Sequence, residues 1–234
     1  MKKLVAAVLM TIASATMASA QSAVDSLKLT GAGSVVSSGV YVGNYAGAIK
    51  EAGTTSFSPS VPINCVDFFH EVNVGQVWAV TDINLATGDF LGTYYGNKDN
   101  YQKAAYLTTL YSSFYNAPVN GLEIAGIQHA IWNIVDAGGF DSHTFTQFTD
   151  PESAEWTQCA NLAFSSKGTT GACTVDGVAY QSFNSVDYNS FVLLHPIAGS
   201  AQEMLTTTPE PSSMALLGTG LIGLVPLVRR RRRS

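Results

Sequence analysis

At 234 residues, with 12% charged and 46% apolar side chains, the chain has room for one domain, or for one domain with an inserted subdomain. Its formal net charge is −5. No phosphate-binding glycine loop and no histidine pair at metal-ligand spacing occurs, so no cofactor is implied.

Both ends read as processing signals. Residues 1–20 have the form of a Sec-type signal peptide: Lys2 and Lys3, an apolar run from Leu4 to Ile12, and the small-x-small site Ala18-Ser19-Ala20, which predicts a mature start at Gln21. At the other end, Thr206 to Ser213 is a polar linker, Met214 to Val228 an apolar run, and Arg229, Arg230 and Arg231 begin an arginine block through Arg233. The apolar run is just short of an ordinary membrane span, and the arginines should stay cytoplasmic. This order, with Pro209-Glu210-Pro211 at its head, resembles the PEP-CTERM sorting signal. The resemblance implies a membrane-anchored precursor that contacts the inner membrane through 212–228, an exosortase partner, and a final place at the cell surface or outside the cell. Between Gln21 and Thr208 there remain five lysines, no arginine and sixteen acids, a balance of 5 − 16 = −11. Such a surface repels nucleic acid and anionic lipid.

Along the mature chain, 24–45 should form the first strands, with Leu27/Leu29 and Val40/Val42 alternating, and 46–60 a loop. Val61 to Phe69 and Gly75 to Ile83 read as strands, the second with Val77, Ala79, Thr81 and Ile83 on one face. After a turn at Asn84 to Asp89, Phe90 to Tyr95 should return as a strand. The period then changes. Asn100 to Tyr115 is helix-like, and Gly121 to Asp136 is a second helix, with Asn120 and Glu123 as a capping box and Gly138-Gly139 as its stop. Asp150-Pro151 opens a third helix, through Trp156 to about Phe164. Asp176-Gly177 marks a hairpin within Thr174 to Tyr180, and Phe191 to Leu194 a closing strand. The expectation is an α+β fold, with a β-sandwich or barrel-like core and an inserted helical subdomain across 21–205.

Two residues need explaining. Gln128 lies on the buried stripe of Ile124, Ile127, Ile131 and Val135, where an unpartnered carboxamide costs about 1–3 kcal/mol. It is either hydrogen-bonded to nearby backbone or has lost its amide nitrogen to a cysteine bond. The chain has three cysteines, an odd number for an exported protein. Cys159 and Cys173 flank a Gly/Ser/Thr loop and are candidates for a disulfide, against two reduced thiols. That leaves Cys65, either an ordinary buried thiol or the partner of Gln128.

Cys65-Val66-Asp67, the Ala104-Ala-Tyr-Leu107 stretch and Ile127-Gln-His-Ala-Ile-Trp132 resemble the thioester domain of bacterial surface adhesins over roughly residues 30–195. The family's Gln-x-Ala-Ile-Trp motif is matched by Gln128, Ala130, Ile131 and Trp132. The resemblance implies a Cys65–Gln128 thioester that captures an amine-bearing surface or matrix macromolecule, with single-turnover acyl transfer in place of enzymatic turnover. Trp132 would pack over the bond, and Asp67, His70 and His129 are nearby candidates for proton transfer. Two other readings remain: a non-covalent structural or carbohydrate-binding module using Trp78, Tyr94 and Tyr95, and a cysteine hydrolase pairing Cys65 with His70, His129, His143 or His195.

Overall fold

Leu27 and Leu29 alternate with more exposed neighbours along the first strand, and Trp78 and Val80 do the same on a later one. The computed structural model describes residues 25–33, 35–114, 121–139, 144–169, 172–199 and 201–208. The signal peptide, Asn120, His143 and the sorting residues 209–234 lie outside these. The strands are β1 (Asp25–Gly31), β2 (Val35–Ser37), β3 (Val40–Val42), β4 (Tyr45–Lys50), β5 (Val61–Cys65), β6 (Val77–Asn84), β7 (Thr174–Val175), β8 (Val178–Ala179), β9 (Phe191–Pro196) and β10 (Met204–Thr207). Six of them close a barrel in the order β1-β4-β5-β10-β9-β6, every neighbouring pair antiparallel. Closure leaves no sheet edge in this ring.

Between β6 and β9 the described residues make three α-helices: α1 (Lys98–Leu110), α2 (Gly121–Val135) and α3 (Pro151–Ser166). The architecture is therefore α+β, a barrel with a helical insertion. Asn97 caps α1, and its side chain accepts the Asn100 N–H. Asp150 caps α3 by accepting the Ser153 N–H at 2.8 Å, with Pro151 in the first turn. Beyond its first turn α2 is buried on every side, from Ile124 to Val135. It runs between α1, α3 and the β2–β3 hairpin, so no single stripe describes it. Gly126 permits this: a Cβ there would lie 2.5 Å from Glu152 Cβ and 3.2 Å from Trp156 Cδ1 of α3. Barrel interior and helices share one apolar core.

Several expectations change. The strand Tyr45–Lys50 runs through 46–50, where a loop was expected, and Phe90–Tyr95 is a run of turns where a strand was expected. The strand beginning at Val61 ends at Cys65, short of Phe69. On β6 the face of Val77, Ala79 and Thr81 points outward, and Trp78 and Val80 fill the barrel. Trp78 is thus buried and offers no platform for a sugar. The last strand continues through Thr207 into the expected linker, with Thr206 buried and bonded to Pro62 O. Glu123, expected in a capping box, accepts the Trp156 indole N–H at 2.8 Å.

Candidate functional site

Cys65 is the last residue of β5, opposite Met204, where the chain leaves the barrel rim toward the helices. Its side chain is fully buried and is a free thiol. Gln128 sits midway along α2 and is also fully buried. The two meet: Gln128 Nε2 donates to the Cys65 carbonyl at 2.8 Å, and the Tyr111 hydroxyl, just past α1, donates to Gln128 Oε1 at 2.9 Å. The misplaced carboxamide of the sequence is therefore partnered at both ends. A hydroxyl aimed at a carbonyl oxygen also polarises that carbonyl.

The thiol donates to the Asp67 carbonyl at 3.1 Å. Burial pushes its pKa well up, and the Asp67 charge pushes it further; the Trp132 N–H and the Asp67 backbone pull the other way. Trp132 Nε1 is buried and bonds no nitrogen or oxygen acceptor. Phe68, three residues after Cys65, touches Trp132, four after Gln128, at 5.1 Å between ring centroids. Phe148 closes on both at 5.4 and 5.6 Å, and His129 stacks on Phe148 at 3.9 Å. This aromatic cover keeps bulk water from the pair.

The polar residues named from sequence have structural jobs. Asp67 is fully buried; Oδ1 accepts the Phe69 N–H at 3.0 Å and the Tyr95 hydroxyl at 2.9 Å, and Oδ2 meets His70 Nδ1 at 2.5 Å. It pins the loop that follows Cys65. His129 turns away from the thiol and bonds Asp150 Oδ2 at 2.8 Å, tying α2 to the cap of α3. His195 Nδ1 bonds the buried Glu203 at 2.7 Å. Each of these three rings thus faces a carboxylate, and the Cys–His pair of a hydrolase does not form among the described residues. Cys159 and Cys173 are joined in a disulfide.

Tyr111, Asp136 and Glu203 escaped the sequence reading as site residues, and Tyr95, named there as a sugar-binding aromatic, instead donates to Asp67. Asp136 carried a signal: it falls four residues after Trp132 and eight after Gln128, on one helical face. It is fully buried, and Oδ2 accepts the Phe68 N–H at 3.2 Å. Burial holds its pKa well above the ordinary carboxylate range, against the pull of the Tyr95 hydrogen bond. Among the described residues no group of three or more His, Cys, Asp or Glu side chains is placed to hold a metal ion.

A family model for the PEP-CTERM protein-sorting motif matches residues 207–233. The chain carries a PEP-CTERM sorting signal. It is accordingly an exported protein, processed by exosortase at the membrane and then surface-anchored or extracellular. The match begins at the final residue of β10, so processing downstream of it spares the barrel. It covers neither Cys65 nor Gln128. No helix of the described residues is long and apolar enough to cross a membrane, and the 212–228 segment lies outside them. No curated protein and no solved structure matches the chain.

Proposed function

We propose that Cys65 and Gln128 condense into an internal thioester, and that the exported protein uses it to attach itself covalently to amine-bearing molecules at the cell surface or in the surrounding matrix. One observation carries the reading: a fully buried glutamine side chain is held by a hydrogen bond to the cysteine 63 positions earlier, with a hydroxyl on its carbonyl oxygen. Cys65 Sγ adds to Gln128 Cδ while Tyr111 donates to the developing oxyanion. The C–N bond then breaks, and the thiol proton leaves with the nitrogen as ammonia. The atoms balance: thiol plus carboxamide gives thioester plus ammonia.

The second step reverses the roles. A target amine adds to the same carbonyl, the C–S bond breaks, and the Cys65 thiol is regenerated as an amide links target to Gln128. Held geometry supplies most of the rate, and the aromatic cover suppresses hydrolysis. The raised thiol pKa suits a sulfur stored as an acyl thioester better than a standing thiolate nucleophile. Each molecule acts once, so the protein is a covalent binding module and not an enzyme with turnover.

Intact mass of the protein from an export-competent host tests this. After allowing for the Cys159–Cys173 disulfide, a deficit of one ammonia is expected. It should be absent in Cys65→Ala and in Gln128→Ala, and methylamine should convert it to a methylamide at Gln128. A full-mass protein whose Cys65 alkylates readily would overturn the reading.

A further inference from the structure

On the outer side of Phe148 lies a second feature that the thioester reading does not use. A cleft of about 610 Å³ opens between α3 and the segment before it, within the size range of small-ligand sites. None of the described residues that line it is charged, in a mature chain with a balance of −11. The two neighbouring clefts differ, for they carry Glu123, Glu152, Glu155 and Asp176. The lining of this cleft is itself uncharged among the described residues, and Lys103 Nζ reaches the wall to donate to Asn161 Oδ1 at 2.9 Å.

Its walls offer hydrogen bonds that the fold leaves unspent. The carboxamides of Gln147 and Gln158 and the hydroxyl of Thr149 are exposed and make no side-chain hydrogen bond among the described residues. Leu162, 48% exposed, and half-buried Phe148 supply apolar surface. Phe148 is fixed in the wall through its backbone: its N–H donates to Asn133 Oδ1 at 2.8 Å, and its O accepts Asn133 Nδ2 at 2.9 Å. Carboxamides and hydroxyls that each donate and accept, set beside an aromatic ring and an aliphatic side chain, match adjacent hydroxyls and C–H faces.

We infer that this cleft binds a neutral, polyhydroxylated ligand, a saccharide unit of a glycan. The inference stands independently of the thioester. Affinity electrophoresis of the purified protein through native gels containing dextran, mixed-linkage β-glucan or galactomannan tests it, with alginate as the anionic comparison. At least one neutral polymer should retard the protein. The double variant Gln147→Ala/Gln158→Ala, at exposed positions that leave folding intact, should bind about tenfold more weakly, as expected for lost ligand hydrogen bonds. Cys65→Ala should bind like the parent, which separates this result from the thioester test. No retardation by any neutral polymer, retardation by alginate alone, or equal retardation of the double variant would overturn the inference.

Discussion

Two cysteine regions of this molecule are built on opposite logic. Cys159 on α3 and Cys173 beside β7 are 14 residues apart, and their bond fastens the middle of a helix to the hairpin that follows it. Cys65 and Gln128 are 63 residues apart and meet only because the barrel rim comes up against the central helix. The first pair closes a short loop, so its effect is on the unfolded chain. The second is held by the finished fold, so its effect is on chemistry. Stability and reactivity should therefore separate between them.

The largest effect expected is on the chemical side. Tyr111→Phe removes the donor to Gln128 Oε1 while keeping the ring in the core. Loss of one such donor commonly costs about 10²–10³ in rate. The ammonia deficit should then appear slowly in timed intact-mass measurements, with little change in the urea midpoint. Full-speed bond formation in the Phe variant would leave Tyr111 a packing residue. On the stability side, the Cys159→Ala/Cys173→Ala variant should lose about 3 kcal/mol, the scale for a loop of this length. Under native conditions it should still form the thioester at the parental rate. A variant that loses the ammonia deficit while remaining folded by circular dichroism would break the comparison.

The two regions also differ in how far the sequence disclosed them. Asp150-Pro151 and Asp176-Gly177 act locally, and both do what local chemistry requires: Asp150 caps α3, and Asp176 and Gly177 sit at φ 50° and 75° in the β7–β8 turn. Gln128 was visible as a polar residue on an apolar helix. Tyr111 was not, since its reach to Gln128 depends on how α1 crosses α2. The strand Tyr45–Lys50 hid for a related reason. Its Gly47 looks like loop material, but a Cβ there would lie 2.7 Å from Ile63 Cδ1 and 3.0 Å from Leu27 Cδ1 inside the barrel. Conversely Phe90–Tyr95 looks like a strand, yet its aromatics serve separate contacts: Phe90 stacks on Tyr101 at 5.5 Å and Tyr94 on His70 at 4.4 Å. Local signals decided local elements, and packing decided the rest.

Gly126 joins the two regions, because it sets how closely α3 lies on α2. Gly126→Ala places a Cβ against Glu152 and Trp156, a clash that should cost about 1–3 kcal/mol in urea unfolding. If the α2–α3 spacing also fixes the Gln128 position, thioester formation should slow as well. An unchanged rate would assign Gln128's placement to α1 and the barrel rim alone.

The smallest effects concern pH, and two carboxylates should pull in opposite directions. Burial pushes Asp150 up, but the His129 and Ser153 hydrogen bonds outweigh it and hold the carboxyl below its ordinary value. Its folded state binds protons less readily than the unfolded chain. The stability it contributes is present above the ordinary aspartate pKa and is lost as pH falls through the lower folded value. Asp82 on β6 is raised to about 7, first by desolvation and then by Asp25 beside it on β1. Here the folded state binds the proton more tightly, so this group's contribution is greatest at acid pH and declines as pH rises from about 4 to about 7. Melting temperatures of the parent should therefore fall on both sides of a mildly acidic optimum. Asp150→Asn should flatten only the acid limb, retaining most of the cap. Asp82→Asn should reduce the slope only between about pH 4 and pH 7, leaving the part due to Asp136, which is raised in the same direction. A parental slope surviving in Asp82→Asn would show that Asp82 does not bind its proton more tightly in the folded state. A parental acid limb in Asp150→Asn would show that Asp150 does not bind its proton more weakly in the folded state.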